Sequence, residues 1–382
     1  MSTVVICCDK FKGSATSAAV STALGQSITT AGHQVRVVPL ADGGDGTLEA
    51  FDSLGYHRKK AQVRGSDGAL LETQFAMQES TAVIEIARIC GLDLAAPDGT
   101  VPSSTSARQS GSWGVGDAIQ AALNEGATRI IIGLGGSATT DAGFGMAQSL
   151  GARFIASDGT LITDVCDLGK VTTVNLEQVD SRVSEVDFIC ASDVKNPLAG
   201  PDGAAAVYGP QKGLSETDVI EVDAAIEKFA RVFEAAIGKP GLAEQLGAGA
   251  AGGLGFMAAA LLKAQMCSGV DLVLDETGGE RWLDKADLLI TGEGRIDLQT
   301  LSGKAPAGIA KRARKRNIVV VAVCGQNQIE EASARSIFEA IYSLTEYESD
   351  VNECIQNPLP ILERIGKDIA ETYLISNALR EE

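Results

Sequence analysis

The sequence predicts an α/β protein, a Rossmann-like domain with a parallel sheet interrupted by a second, mixed α/β domain. Two matching rhythms and one short connection predict it. The first 64 residues read βαβα: an apolar run at Val4 to Cys8, an Ala-rich helical stretch at Ser14 to Ala31, a run at Val35 to Pro39, a glycine turn, and a helix at Thr47 to Leu54. The rhythm returns in Asp287 to Thr291, a helix near Ala305 to Arg316, Ile318 to Val323, and Ala340 to Leu344 before a terminal helix. Between these halves, Leu70 to Met77 and Ala82 to Ala87 are separated by only Gln78 to Thr81. That is too little chain for a parallel crossover, so the two runs pair antiparallel. The expected domains are 1–64 with 284–382, and an insertion at 65–283.

Composition narrows the function. Lys and Arg number 32 against 50 Asp and Glu, for a net charge of −18. Such a surface repels nucleic acid and anionic membranes, so neither is an expected partner. Hydrophobic residues are 45% and charged residues 21%, as in ordinary globular chains. The eight cysteines form no C-x-x-C pair and several lie in apolar runs, which reads as reduced core cysteines of a cytoplasmic protein. His33 and His57 are the only histidines, too few for a zinc or haem site. Asp9 and Lys10 follow the first apolar run too early for a secretory signal, and Leu254 to Leu262 is too short to span a bilayer.

Glycine is the outlier, at 43 of 382 residues, where about 7% is usual. The glycines cluster in turns: K-G-S at 12–14, D-G-G-D-G-T at 42–47, G-L-G-G-S-A at 133–138, G-A-G-A-A-G-G-L-G at 247–255 and G-E-G-R at 292–295. In parallel sheets the ligand crevice lies beyond the carboxyl ends of the strands, where such turns bring backbone N–H groups close to an anion. Any single glycine turn is explained by chain reversal alone. Five of them, four carrying Ser, Thr, Asp or Arg beside the glycine, point to an anionic ligand. The strict phosphate loop is absent, since Gly303-Lys304 is followed by Ala305. Gly133-x-Gly135-x-x-Ala138 fits the relaxed dinucleotide pattern, with Asp158 as the sole acidic candidate for the ribose.

Acidic residues flank the same turns: Asp42 and Asp45, Asp193 after Val186 to Ala191, and Glu293 and Asp297 after Asp287 to Thr291. Carboxylates at strand ends suit Mg²⁺ shared with phosphate oxygens, or proton removal from a hydroxyl. Lys12, Lys195, Lys212, Arg295 and Lys304 stand nearby as cations that could neutralise phosphate or carboxylate.

Taken in order, the segments D-K-F-K-G-S (9–14), A-D-G-G-D-G-T (41–47), G-L-G-G-S-A-T-T-D (133–141), S-D-V-K-N-P-L (192–198), G-P-Q-K-G (209–213), G-A-G-A-A-G-G-L-G (247–255) and T-G-E-G-R-I-D-L-Q-T-L-S-G-K-A-P (291–306) resemble the bacterial glycerate kinase family of the first type. The resemblance covers nearly the whole chain. It implies ATP-dependent phosphorylation of D-glycerate at the 2-hydroxyl, with Mg²⁺, in a cleft between a Rossmann-like domain and an inserted one. The chain departs from the family pattern at Lys10, Arg88, Cys90, Thr140, Ala142 and Ser192, and around Trp113 and Asp117.

The expected roles follow from phosphoryl transfer, which asks a protein for alignment and charge neutralisation. Gly135, Gly136, Ser137, Gly252, Gly253 and Glu293 line the nucleotide. Lys12 neutralises the transferring group and Asp193 accepts the hydroxyl proton. Arg295 holds the glycerate carboxylate, with Asp42, Asp45 and Ser14 completing the substrate set. The Mg²⁺ ligand is open among Asp42, Asp193 and Asp297, and exchanging the roles of Asp42 and Asp193 fits equally well. Two rival readings are a nicotinamide-dependent oxidoreductase of small hydroxy acids, built on Gly133 to Ala138, and a non-catalytic phosphometabolite-binding protein.

Overall fold

The structure, a computed structural model, describes residues 1–41, 43–301, 305–330 and 334–374. In chain order the strands are β1 (Thr3–Cys8), β2 (Gln34–Val37), β3 (His57–Arg64), β4 (Leu70–Gln78), β5 (Thr81–Glu85), β6 (Arg129–Gly133), β7 (Arg153–Ala156), β8 (Leu161–Ile162), β9 (Val171–Asn175), β10 (Asp187–Ala191), β11 (Gln265–Cys267), β12 (Leu288–Ile296), β13 (Val319–Asn327) and β14 (Ala340–Ser343). They divide into two compact units, Met1–Ala41 with Val270–Glu382, and Asp42–Gly269.

In the first unit the sheet runs β14-β13-β12-β1-β2 and every neighbouring pair is parallel. Numbered within the unit this is the order 2-1-3-4-5, the second of the two common doubly wound arrangements, rather than 3-2-1-4-5. The run V-V-I-C-C is apolar at every position because both faces are covered. Val4, Ile6 and Cys8 pack with Val20, Leu24 and Ile28 of the Ser17–Thr30 helix and Leu362, Ile365 and Ile369 of the Pro358–Tyr373 helix. Val5 and Cys7 face the opposite layer, with Val270 and Leu274 of the Gly269–Thr277 helix and Ile309 of the Ala305–Arg314 helix.

The second unit holds a six-stranded sheet, β11-β10-β6-β5-β4-β3, and a small three-stranded sheet, β8-β7-β9. β11, β10, β6 and β5 are parallel, and β5-β4-β3 form an antiparallel meander. The hairpin expected across Gln78 to Thr81 is present, with Gln78 paired to Thr81. Phe144 and Phe154 stack with ring centroids 4.6 Å apart, and Phe229 of the Glu216–Ile237 helix meets Phe154 at 5.2 Å.

The sequence boundaries at 64 and 284 differ from those of the compact units. The second helix of the opening βαβα rhythm and the residues after it belong to the other unit, where β3 pairs with β4 from His57↔Met77 to Arg64↔Leu70. At the far boundary, Val270, Leu274 and Leu283 pack into the first unit's core ahead of residue 284. Alternation of helix and strand does not say which sheet a strand joins.

The departures at Trp113 and Asp117 have a structural account. Asp117 accepts the Arg64 backbone N–H at 3.0 Å, its Nε–H at 2.9 Å and its Nη2–H at 2.7 Å. Trp113 Nε1 donates to Gln148 Oε1 at 2.8 Å. Asp117 thereby ties edge strand β3 to the Trp113–Asn124 helix. Asp117→Ala is expected to cost about 1–2 kcal/mol, discounted for solvent screening at the part-exposed guanidinium. Thermal denaturation reads this as a fall of at least about 2–4 °C, whereas Glu72→Ala, which removes the exposed Lys60–Glu72 pair on the same meander, changes little.

Candidate active site

In a 2-1-3-4-5 sheet the crossovers leave β1 and β12 in opposite directions, opening a crevice beyond their carboxyl ends. The residues there are those the sequence singled out. Asp9 N–H donates to Gly292 O at 2.8 Å, and Thr291 Oγ1 donates to Cys7 O at 2.7 Å, fixing the two strand ends. Phe11 to Ala15 closes a tight turn, with Ser14 N–H donating to Phe11 O at 2.8 Å and Gly13 at a left-handed φ of +77°. Lys12 is exposed on this turn. A Cβ on Gly294 would stand 3.2 Å from Lys12 N, and one on Gly292 would overlap Val323 O, so this crevice is floored by main chain.

The structure joins Glu293, Arg295 and Asp297 through a residue the sequence reading missed. Thr300, fully buried, donates from Oγ1 to Glu293 Oε1 at 2.6 Å and accepts the Asp297 N–H at 3.1 Å. Its own N–H donates to Asp297 Oδ1 at 3.1 Å. Asp297 Oδ2 stands 3.6 Å from Arg295 Nε, and the Arg295 side chain is 61% exposed. Thr300 therefore orients both carboxylates, and Asp297 in turn steadies the guanidinium. Ser14 is turned elsewhere. Its Oγ donates to Ile355 O at 2.7 Å, which leaves its lone pairs but not its proton for a ligand. Lys304 lies outside the described residues.

In the second unit the remaining glycine turns converge, main chain on main chain. Gly135 N–H donates to Gly43 O at 3.0 Å, and Leu134 N–H donates to Ala191 O at 3.0 Å. A Cβ on Gly43 would stand 2.5 Å from Ala191 O, and one on Gly135 would overlap Gly44 Cα. Gly252, at a left-handed φ of +68°, leaves room for Thr139 O, and its own carbonyl accepts the Ala142 N–H at 2.9 Å. A Cβ on Gly253 would stand 2.5 Å from Ala142 Cα. Gly249 N–H donates to Asn196 O at 3.0 Å. The segments 43–47, 133–142, 191–198 and 247–255 are thus one cluster.

Within it Asp45 is exposed and Asp193 half-buried, while Asp42 lies outside the described residues. Ser137 is buried, its Oγ accepting the Thr139 N–H at 3.1 Å and bonded to Thr139 Oγ1 at 3.0 Å. Among the described residues only Ala87 Cβ is near Gly136, at 3.4 Å from where its own Cβ would be. The dinucleotide pattern is not realised in its usual form. The next helix starts only at Phe144, and the Asp158 carboxylate accepts the Thr160 N–H at 2.9 Å in an exposed turn.

Three buried charged side chains support these turns. Asp141, fully buried, accepts from Ser112 N at 2.9 Å, Ser112 Oγ at 2.8 Å, and Gly143 N and Gly145 N at 3.0 Å each. Burial pushes its carboxyl above the usual range and those hydrogen bonds pull it back. Lys212, only 4% exposed, donates from Nζ to Thr139 O at 2.7 Å. Burial lowers its ammonium to about 8, against the pull of Cys90 and Asp141. Glu85, at the end of β5, is fully buried.

Lys212 gives the cluster a pH signature. Its folded value lies below the ordinary lysine value, so the stability tied to it is present above the unfolded pKa and is lost as pH falls through about 8. Measured by thermal denaturation between about pH 7.5 and 10, the parent is expected to gain stability relative to Lys212→Met as pH rises. A constant difference across that range would show that Lys212 does not titrate there.

Comparison with known proteins identifies the family. The sequence model of the glycerate kinase family matches residues 4–374. A glycerate kinase from Halalkalibacterium halodurans is 38% identical over 97% of this chain and 98% of its own length. The glycerate 2-kinase of Escherichia coli K12 is 33% identical, over 97% of this chain and 98% of its own. The crystal structure of a protein assigned as glycerate kinase 2, from Salmonella typhimurium LT2, superposes with a TM-score of 0.82 at 32% identity, covering 99% of both chains. Strand-end turns, sequence and fold therefore converge, and this chain belongs to the glycerate kinase family.

Proposed function

We propose that this protein transfers the γ-phosphoryl group of ATP to D-glycerate, at the 2-hydroxyl. The observation that carries the reading is family membership across residues 4–374, with a relative named glycerate 2-kinase matching nearly end to end. The rival oxidoreductase and sensor readings find no support in these relatives. A cytoplasmic location is part of the same proposal, supported by eight unpaired cysteines.

The proposed roles use groups at the strand-end turns. Main-chain amides around Gly135, Gly136, Ser137, Gly252 and Gly253, with Glu293, hold the nucleotide. Lys12, exposed on its turn, neutralises the transferring group. Arg295, a planar fork steadied by Asp297, binds the glycerate carboxylate. Asp193 accepts the hydroxyl proton, Asp45 orients the glycerate hydroxyls, and Ser14 contacts substrate through its lone pairs. Asp42 completes this set from outside the described residues.

Among the described residues no group of three or more His, Cys, Asp or Glu could hold a metal alone. This donor set fits Mg²⁺, which takes one or two carboxylates and completes its shell with water and phosphate oxygens. The carboxylate that holds it is open among Asp42, Asp193 and Asp297, of which Asp297 also accepts the Thr300 N–H and faces Arg295. Bound there, the ion would neutralise charge on the β- and γ-phosphates.

The reading is tested by measuring ADP release across three- to six-carbon hydroxy acids with and without Mg²⁺, followed by phosphorus NMR of the product. Glycerate-dependent ADP release and a 2-phosphate resonance are expected; hydride transfer to a nicotinamide, or binding without turnover, would overturn it. Asp193→Asn is expected to lower kcat by about 100-fold or more, and near-parental turnover would remove it as base. Arg295→Lys is expected to raise KM for glycerate about tenfold while leaving KM for ATP near the parent's.

A further inference from the structure

Glu85 ends β5 in register with Gly133, the last residue of β6. Its carboxylate is fully buried, a placement that is costly unless the charge is hydrogen-bonded and paired. The hydrogen bond comes from one short element, the Thr47–Asp52 helix, and the opposite charge from Arg88. Oε2 accepts the Leu48 N–H at 2.9 Å, one of the donors that a helix start leaves unsatisfied. The residue at the cap position, Gly46, has no side chain to do this and adopts a φ of +98°. Glu85 thus caps the helix from a neighbouring strand.

The same helix is held from its other residues. Oε1 of Glu85 stands 3.3 Å from Arg88 Nε, and Arg88 Nη2 bonds Glu49. Arg58 on β3 reaches Glu49 at 3.3 Å and grips Asp52 through two hydrogen bonds of 2.7 Å. Six residues cannot sustain a helix in water, so these side chains hold it in place. The turn Gly43 to Gly46 leads directly into it, carries Asp45, and rests on Gly133 and Gly135.

We propose that Glu85 is a positioning residue for phosphoryl transfer: paired with Arg88, its carboxylate latches the start of the Thr47–Asp52 helix to the end of β5 and so sets where Asp45 stands beside the Gly133 to Ser137 segment. The charged groups around it are Arg88, Glu49, Asp45 and Arg58. Burial pushes the Glu85 carboxyl up, the Leu48 N–H and Arg88 pull it down, and Glu49 and Asp45 push it up again. Without Arg88 the carboxyl takes a proton at higher pH, and a neutral acid is the weaker acceptor.

The kinetic part of this inference rests on the glycerate kinase reading; the structural part does not, so the test has two arms. Hydrogen exchange of peptides covering residues 44–54 is followed in the parent, Glu85→Gln and Arg88→Met, at about pH 8 and pH 6. Glu85→Gln keeps the shape and an acceptor but loses the charge, and its exchange in that segment is expected to be about tenfold faster than the parent's, with other segments unchanged. Arg88→Met is expected to show the same local effect, larger at the lower pH. In the kinetic arm, Glu85→Gln is expected to lower kcat/KM for glycerate about tenfold, with KM for ATP within about twofold of the parent's.

Unchanged exchange in Glu85→Gln would overturn the latch, as would faster exchange spread evenly over the chain. Local loosening with parental kcat/KM would overturn the positioning role. A parent that does not phosphorylate glycerate, with the local loosening still present, would sink the kinase reading and leave the latch standing.

Discussion

The constraint on which the rest of the structure depends is main-chain contact at the carboxyl ends of parallel strands. In the first unit, Gly292 and Gly294 let β12 approach Val323 and the Lys12 turn. In the second, Gly43, Gly135, Gly249, Gly252 and Gly253 let four chain segments touch without intervening side chains. This accounts for much of the excess of glycine, 43 residues in 382. It also explains why the turns suit phosphate chemistry. Backbone amides packed against backbone have little freedom to rearrange, and preorganised donors are what phosphoryl transfer requires.

Around that main-chain floor, shape is set by a few buried polar side chains rather than by apolar packing. Asp141 collects backbone N–H groups from Ser112, Gly143 and Gly145, and Lys212 holds one carbonyl of the same segment. Thr300 does the equivalent work for Glu293 and Asp297. Each such group is expensive to bury, and each is retained at a turn where the chain has no regular ladder to follow. The exposed charges, Lys12, Asp45 and Arg295, stand next to these fixed points.

The sequence revealed the elements better than their partners. Apolar runs located β1, β5, β10 and β12, and the short Gln78 to Thr81 connection gave the antiparallel hairpin. Strand order was not legible, because periodicity describes one strand at a time. The same limit put β3 in the wrong unit. Glu85 and Asp141 escaped notice, and Lys212 was placed at the ligand instead of in the core, for a related reason: their partners lie 37, 29 and 73 residues away, at Leu48, Ser112 and Thr139. Glu85 left a faint trace, an acid closing the apolar run T-A-V-I-E. Lys212, in G-P-Q-K-G, reads as a cation for an anionic ligand until the fold encloses it.

The placement of β1 has a consequence for how the chain matures. This early strand lies inside its sheet, between β2 and β12, and its contact with β12 joins positions 284 residues apart, as at Thr291 and Cys7. The inserted unit is contiguous and can complete itself during synthesis, but β1 cannot. Until the last quarter of the polypeptide leaves the ribosome, V-V-I-C-C keeps an open edge and uncovered apolar faces, the state most exposed to aggregation. Nascent-chain chaperones should therefore engage this protein at its beginning, and release it only when translation is nearly over.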